Sequence, residues 1–158
     1  DVFIGWNPKL AQNSSDTVSE IEFSMYADGV FALPDRGIAV TGNVSYGSIS
    51  VNDSVKIIHD DGTSVSCTVA EIEQFRKKLQ TAKKNDSVGI ILTGITKQQL
   101  RRGDIVIKGS LDLLKLNDRI RSYYVPINDR AEAVRYYMKA TGLELKAAKE
   151  KTDRLFAR

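Results

Sequence analysis

The feature that most limits how this chain can fold is the run Gly37-Ile38-Ala39-Val40-Thr41-Gly42-Asn43-Val44-Ser45-Tyr46-Gly47-Ser48-Ile49-Ser50-Val51. It is rich in β-branched and apolar residues, opened by one glycine and interrupted by two more. Such a run reads as a long strand with a bulge or close backbone approach at Gly42 and a tight turn at Gly47 into a second strand. A strand that must bend twice is the seam of a small closed β structure rather than of a flat sheet. The flanking segments agree. Residues 21–26 alternate, placing Ile21, Phe23 and Met25 on one face, and Asp28-Gly29 turns the chain into 30–33 before Pro34-Asp35 closes that strand. Asn52-Asp53 marks the next turn, and Asp60-Asp61-Gly62 is a hairpin signal between 55–59 and 63–69.

Beyond Val69 the alternation changes phase at 70–72, as a bulge at a barrel corner requires. Residues 75–84 carry Arg76, Lys77, Lys78, Lys83 and Lys84, and Asn85-Asp86 turns into 88–92. A helical turn is expected over 98–102, and Ile105 and Ile107 alternate in a last strand. Short strands at regular spacing with turn chemistry between them predict a closed antiparallel barrel.

After Leu111 the pattern changes. Residues 110–127 read as a linker or extended segment, with Pro126 preventing a helix through it. Asp129 followed by Glu132 makes a capping pattern for a helix carrying Val134, Tyr137 and Met138 on one face, and Gly142 is a left-handed stop. A second helix places Leu145, Ala148, Thr152, Leu155 and Phe156 on a stripe. This pair buries more apolar surface than it can hide by itself, so it predicts docking on the barrel, on residues 1–20 or on a second chain. Residues 1–20 combine a short apolar start ending in Trp6 with a polar loop, and Trp6 is expected to dock on the barrel or the tail. The expected organisation is therefore mainly β: an N-terminal extended segment and loop over 1–20, a small closed antiparallel β-barrel over 21–109, the linker over 110–127 and a C-terminal α-helical hairpin over 128–158.

Chemistry is sparse. Cys67 and His59 are each the sole residue of their type, so neither an internal disulfide nor a nitrogen and sulfur zinc set can be assembled. No catalytic constellation is present: His59 flanks a hairpin turn, and Asp60, Asp61, Glu71 and Glu73 read as solvated turn and strand acids. There is no Gly-Lys pair of a phosphate-cradling loop. The expectation is a protein that is not an enzyme and needs no cofactor or metal. No run of about 18 uncharged apolar residues is present, so no membrane partner is expected and the expected location is cytoplasmic. The sequence opens on Asp1 rather than Met, which leads us to expect residues upstream. Charge is uneven. Residues 1–118 hold 13 Lys and Arg against 15 Asp and Glu, a net −2, whereas residues 119–158 hold 10 against 5, a net +5.

Between Val30 and Gly109 the residues Val30-Phe31, Arg36-Gly37, Val40-Thr41-Gly42, Gly47, Ile72-Glu73-Gln74-Phe75-Arg76-Lys77, Val88-Gly89, Thr93-Gly94-Ile95 and Arg102-Gly103-Asp104 stand in the order and spacing of a known family. This stretch resembles the second domain of elongation factor Tu and its relatives, the β-barrel that follows the GTPase domain of translational GTPases. The GTPase engine itself has no counterpart here, since an Asn-Lys-x-Asp guanine-reading motif is absent as well. The resemblance implies a surface for the 3′ end of aminoacyl-tRNA. On it Glu73 would lie against the terminal adenine, with Arg76 nearby and Phe31 and Leu33 on the adjoining wall; Ser87 stands where the family has an asparagine. With Lys77, Lys78, Lys83 and Lys84 as phosphate contacts, the implied partner is tRNA or ribosomal RNA.

The tail resembles, through Ala133-Val134-Arg135 and Thr141-Gly142-Leu143-Glu144-Leu145-Lys146-Ala147-Ala148-Lys149, the helix pair in the C-terminal domain of the bacterial ribosomal stalk protein. That resemblance implies contact with a translation factor or ribosomal protein through Arg135, Lys146 and Lys149. The expected function is a non-catalytic binding module related to the translation apparatus and associated with the ribosome. The alternative is a structural or regulatory interaction protein that forms a homodimer through the C-terminal helices and no longer binds RNA.

Overall fold

A computed structural model describes residues 17–157; the expected docking of Trp6 and the loop before residue 17 lie outside the described residues. Strands β1 (Ser19–Tyr26), β2 (Gly29–Leu33), β3 (Gly37–Ser50), β4 (Ser54–Ile58), β5 (Ser64–Gln74), β6 (Lys77–Leu79), β7 (Thr81–Lys83), β8 (Ser87–Thr93) and β9 (Ile105–Leu111) precede helices α1 (Leu113–Tyr123), α2 (Arg130–Thr141) and α3 (Leu145–Phe156). A short 3-10 turn, Lys97–Gln99, connects β8 to β9. The strands run in the order β1-β9-β4-β5-β8-β3, and β3 pairs back onto β1, so six antiparallel strands close on themselves. β2 extends the first half of β3, while β6 and β7 add short pairings to β5 and β3.

β3 is one continuous strand of 14 residues, and Gly47 is not the turn that its sequence suggested. It sits inside the strand with φ 68°, opposite Phe23, where a Cβ would collide with the carbonyl oxygen of Glu22. Gly42 is the expected close approach: a Cβ there would collide with the carbonyl oxygen of Tyr26. Both glycines let β1 cross β3 without side-chain bulk between the backbones, and the strand coils round the barrel instead of reversing.

Two bulges decide which face each residue takes. The expected shift near Ala70 is present, as a register break between Val69 and Glu71 against β8. A second break, between Ile21 and Phe23 against β9, was not visible in the alternation. It sends Phe23 and Met25 into the barrel core but leaves Ile21 on the outside, against the helices. β9 is apolar on both faces because it stands between two cores. Val106 points into the barrel, and Ile105 and Ile107, expected as one alternating barrel face, lie under the helices instead.

The segment expected to be an extended linker, 110–127, contains α1. Asp112 caps it by accepting the Lys115 amide at 3.0 Å, and Leu113, Leu116 and Ile120 stand at helical spacing and are buried. The helix ends at Tyr123, before Pro126 can oppose it. α2 is capped as expected, with Asp129 accepting the Glu132 amide at 3.1 Å, and Gly142 stops it at φ 75°. A Cβ on Gly142 would also press on Ser24 and Tyr46, so this glycine both ends the helix and seats it on the barrel.

The three helices cover the outer face of β1, β9 and β4. Tyr137, Leu116, Ile120 and Ala148 pack with Ile58, Ile105 and Ile107 in a second core. Each such large side chain contributes roughly 1.5–3 kcal/mol on burial, so the intrachain partner expected for the tail is the barrel. The α3 stripe differs from its sequence reading: Leu145 is 59% exposed, while Lys151 is buried. Lys151 Nζ donates to Asp60 Oδ1 at 2.7 Å and to the Gly103 carbonyl at 2.6 Å, and lies 5.6 Å from the Tyr26 ring. Arg154 adds a second bond to Asp60 at 2.8 Å, bolting α3 to the hairpin between β4 and β5.

Candidate nucleic-acid interface

The outer face of β2, β3, β8 and β5 is left open by the helices. Cross-strand register sets two adjacent rows on it: Phe31, Ala39, Ile91 and Glu71, then Gly29, Thr41, Gly89 and Glu73. Directly paired residues in an antiparallel sheet share a face. The residues between them, Val40, Ile90 and Ile72, point into the barrel core. Two of the four positions in the second row are glycine, so Phe31, 54% exposed, stands beside a shallow strip of backbone. Leu33 continues the Phe31 side of β2 at the strand end, half-buried.

Phe31 and Leu33 on β2 and Glu73 on β5 thus stand on one outer face, with β3 and β8 between them. The structure also supplies a residue that the sequence reading did not assign to this surface. Arg36, from the turn after β2, donates to Glu71 Oε1 at 2.8 Å and to Glu73 Oε2. The guanidinium holds the Glu71 carboxyl below the usual carboxylate range, and hydrogen bonds to Glu71 and Glu73 push the Arg36 pKa up. The Glu-x-Glu spacing directly after the bulge at Ala70 puts both acids on one outer face, but nothing in it marks Arg36 as their partner.

Arg76 lies just past the end of β5. Glu73 pairs with Lys78 and Gln74 with Lys77, leaving Phe75 and Arg76 as a two-residue turn with φ 52° and 65°. Left-handed backbone at both positions is the hairpin turn that matches strand twist. It exposes Phe75 to 85% of its surface. Lys78, paired with Glu73, shares its outer face and its Nζ is 3.6 Å from Glu71, while Lys77, paired with Gln74, takes the other side and Arg76 stands in the turn between the strands. Lys83 and Lys84 do not adjoin them in the sheet: Lys83 pairs with Ser48 in the second half of β3, and the Lys84 amide donates to the Gly47 carbonyl at 2.9 Å. The five cations that form one run in sequence therefore divide between two barrel strands. Ser87 is opposite Asn43, whose exposed amide stands one strand away.

On the tail, Arg135, Lys146 and Lys149 are exposed. Arg135 Nε pairs with Glu132 at 2.7 Å and Lys149 Nζ with Asp153 at 3.2 Å, so two of the three cations have an acidic neighbour on their own helix. Burial pushes the Cys67 thiol up to about 11, which leaves it protonated at neutral pH. His59 Nδ1 lies 2.9 Å from Asp104 Oδ2, and Asp104 also accepts the Arg101 amide at 2.8 Å, a staple between two loops. Among the described residues, no group of three or more His, Cys, Asp or Glu is placed to hold a metal ion. No helix among them is long and apolar enough to cross a membrane.

The closed six-stranded antiparallel barrel is the fold that the resemblance implied. Residues 37–107 match the family model described as Elongation factor Tu domain 2, so the barrel is an elongation-factor-Tu-like second domain. Among solved structures, the chain is similar to translation elongation factor SelB from Methanococcus maripaludis in its apo form. Identity is 30% and the TM-score 0.49, over 54% of this chain and 18% of that one.

Proposed function

We propose that this chain is a non-catalytic binding module of the translation apparatus, whose open barrel face contacts RNA and whose helical tail presents Arg135, Lys146 and Lys149 to a translation factor or ribosomal protein. The observation that carries the RNA reading is the exposed Phe31 ring beside the glycines Gly29 and Gly89, on a face bordered by Arg36 and Lys78, with Arg76 and Lys77 at its edge. The outer side of the Phe31 ring, which packs over Gly29, accepts a stacked base, and cations at the rim meet the phosphates on either side. Lys83 and Lys84 act at longer reach, along the second half of β3.

The test is fluorescence anisotropy with an end-labelled tRNA at increasing salt. Each phosphate contact on a single strand contributes about −0.7 to the slope of log K against log salt, so Arg76, Lys77 and Lys78 together give a slope of about −2. Phe31→Ala weakens binding by the roughly 1–3 kcal/mol of one stacked base. Salt-independent binding, or unchanged affinity in the Phe31→Ala and Arg76→Ala proteins, would refute the assignment of this face.

The competing self-association reading loses its main driving force, because the buried residues of the tail helices pack on the barrel of the same chain.

A further inference from the structure

A cleft of about 250 Å3 lies between the barrel and the start of α3, lined by Tyr26, Asn43, Ser45, Arg102, Lys146 and Ala147, with the acids Asp28, Glu144 and Glu150. Two independent features in it await a ligand. The first is the α3 N-terminus. Its first intrahelical bond runs from the Ala148 amide to the Glu144 carbonyl at 3.0 Å, so the amides of Leu145, Lys146 and Ala147 lie before the ladder begins, and no side chain caps them. The positive end of the α3 dipole therefore borders the cleft. The second is Ser45. It is the extra residue of a bulge where Ser24 pairs with Tyr46 and Met25 with Val44, it is only 6% exposed, and among the described residues nothing hydrogen-bonds its hydroxyl. The Ser45 hydroxyl has no partner among the described residues and borders the cleft, so a ligand there can supply one.

The charges in the lining decide the ligand. Arg102 and Lys146 favour an anion, as does the helix end, while Asp28, Glu144 and Glu150 oppose a simple one. Glu150 is already engaged, accepting the Tyr26 hydroxyl at 2.9 Å, and Arg102 Nε donates to the Asp28 carbonyl at 3.1 Å. The carboxylates of Asp28 and Glu144 remain available. A molecule with both charges satisfies both sets, and a cleft of about 250 Å3 holds one of amino-acid size. We propose that this cleft binds a small zwitterion of the amino-acid class, its carboxylate at the α3 amides and Ser45 and its ammonium group against Asp28 or Glu144. The site adjoins the RNA face through Asn43 but does not depend on that assignment.

The experiment follows the backbone amide signals of Ser45, Lys146 and Ala147 in the isotope-labelled full chain. Glycine, β-alanine and γ-aminobutyrate are titrated as zwitterions of increasing charge separation, with acetate and methylammonium as single-charge controls. At least one zwitterion shifts these amides saturably, and each control binds at least tenfold more weakly. Ser45→Ala weakens the zwitterion by about tenfold without lowering the melting temperature, since it removes a hydroxyl that lacks a partner. Lys146→Glu, on an exposed position that keeps the fold, does the same. The proposal is overturned if no zwitterion shifts the three amides saturably, if acetate binds as tightly as the best of them, or if both variants retain full affinity.

Discussion

Changing Asp60 to Asn tests how α3 is held to the barrel. Lys151 has a side chain only 5% exposed, and its ammonium group is satisfied by Asp60 Oδ1 and the Gly103 carbonyl; Asp60 itself is 55% exposed. Removing one partner of a fully buried pair costs about 3–5 kcal/mol, whereas an exposed pair is worth at most about 1 kcal/mol. With one partner buried, the other half in water and the Gly103 bond retained, Asp60→Asn should cost about 1–2 kcal/mol. For a chain of this size that is roughly 2–8 °C in melting temperature. Lys151→Met removes the buried charge together with its desolvation cost and should destabilise less. The double variant should match Lys151→Met alone, because no unpaired ammonium is left. Thermal and urea unfolding of the four proteins measures the cycle. A Lys151→Met loss larger than that of Asp60→Asn, or a double variant in which the two losses simply add, would refute the reasoning. The pH dependence has a definite sign. Burial raises the Asp60 pKa, but the hydrogen bonds from Lys151 and Arg154 outweigh it and hold the carboxyl below its ordinary value. The contribution is therefore complete above the ordinary carboxylate range and is lost as pH falls through the folded-state value.

Gly142→Ala should cost at least about 1–2 kcal/mol, because it combines left-handed backbone with a Cβ against Ser24 and Tyr46; chemical denaturation measures it. Leu145→Ser should change stability by less than about 0.5 kcal/mol, since that side chain is exposed, whereas Tyr137→Ala should cost about 3–5 kcal/mol in the same assay. Arg36→Gln should raise the Glu71 carboxyl toward its ordinary value, read by carboxyl carbon shifts against pH; an unchanged titration would show that the clamp of Arg36 on the two glutamates does not form.

The hairpins, the bulge at Ala70, the Asp129 cap and the Gly142 stop were legible in the sequence because each rests on a local rule of backbone chemistry. The barrel was legible because those signals repeat in a fixed order. Gly47 was misread because a left-handed glycine serves a turn and a strand crossing equally well, and only the partner strand decides which. Ile21 was assigned to the wrong face because the bulge before Phe23 leaves no mark in the alternation of β1. Leu113, Leu116 and Ile120 hold the α1 signal, but Pro126 reads as barring a helix from the whole of 110–127, whereas it bars only one that runs on past Tyr123. Leu145 fits a helical stripe, yet the face that docks passes through Lys151, whose charge concealed it. Of the open face, Phe31, Leu33 and Glu73 could be named from sequence. Arg36 could not, since its bonds to Glu71 and Glu73 join residues 35 and 37 positions apart.

The double role of β9 makes the unit indivisible. Val106 closes one core and Ile105 and Ile107 floor the other, so no cut near Leu111 separates barrel from helices without uncovering an oily sheet face on one piece and orphaning the helices on the other. A fragment ending at residue 111 would expose Ile58, Ile105 and Ile107 side by side and be prone to clump. Under native conditions the slowest-exchanging amides should include those of β9, and barrel and tail should open together rather than in turn. What sequence comparison delimits as a portable module has here become inseparable from its appendage.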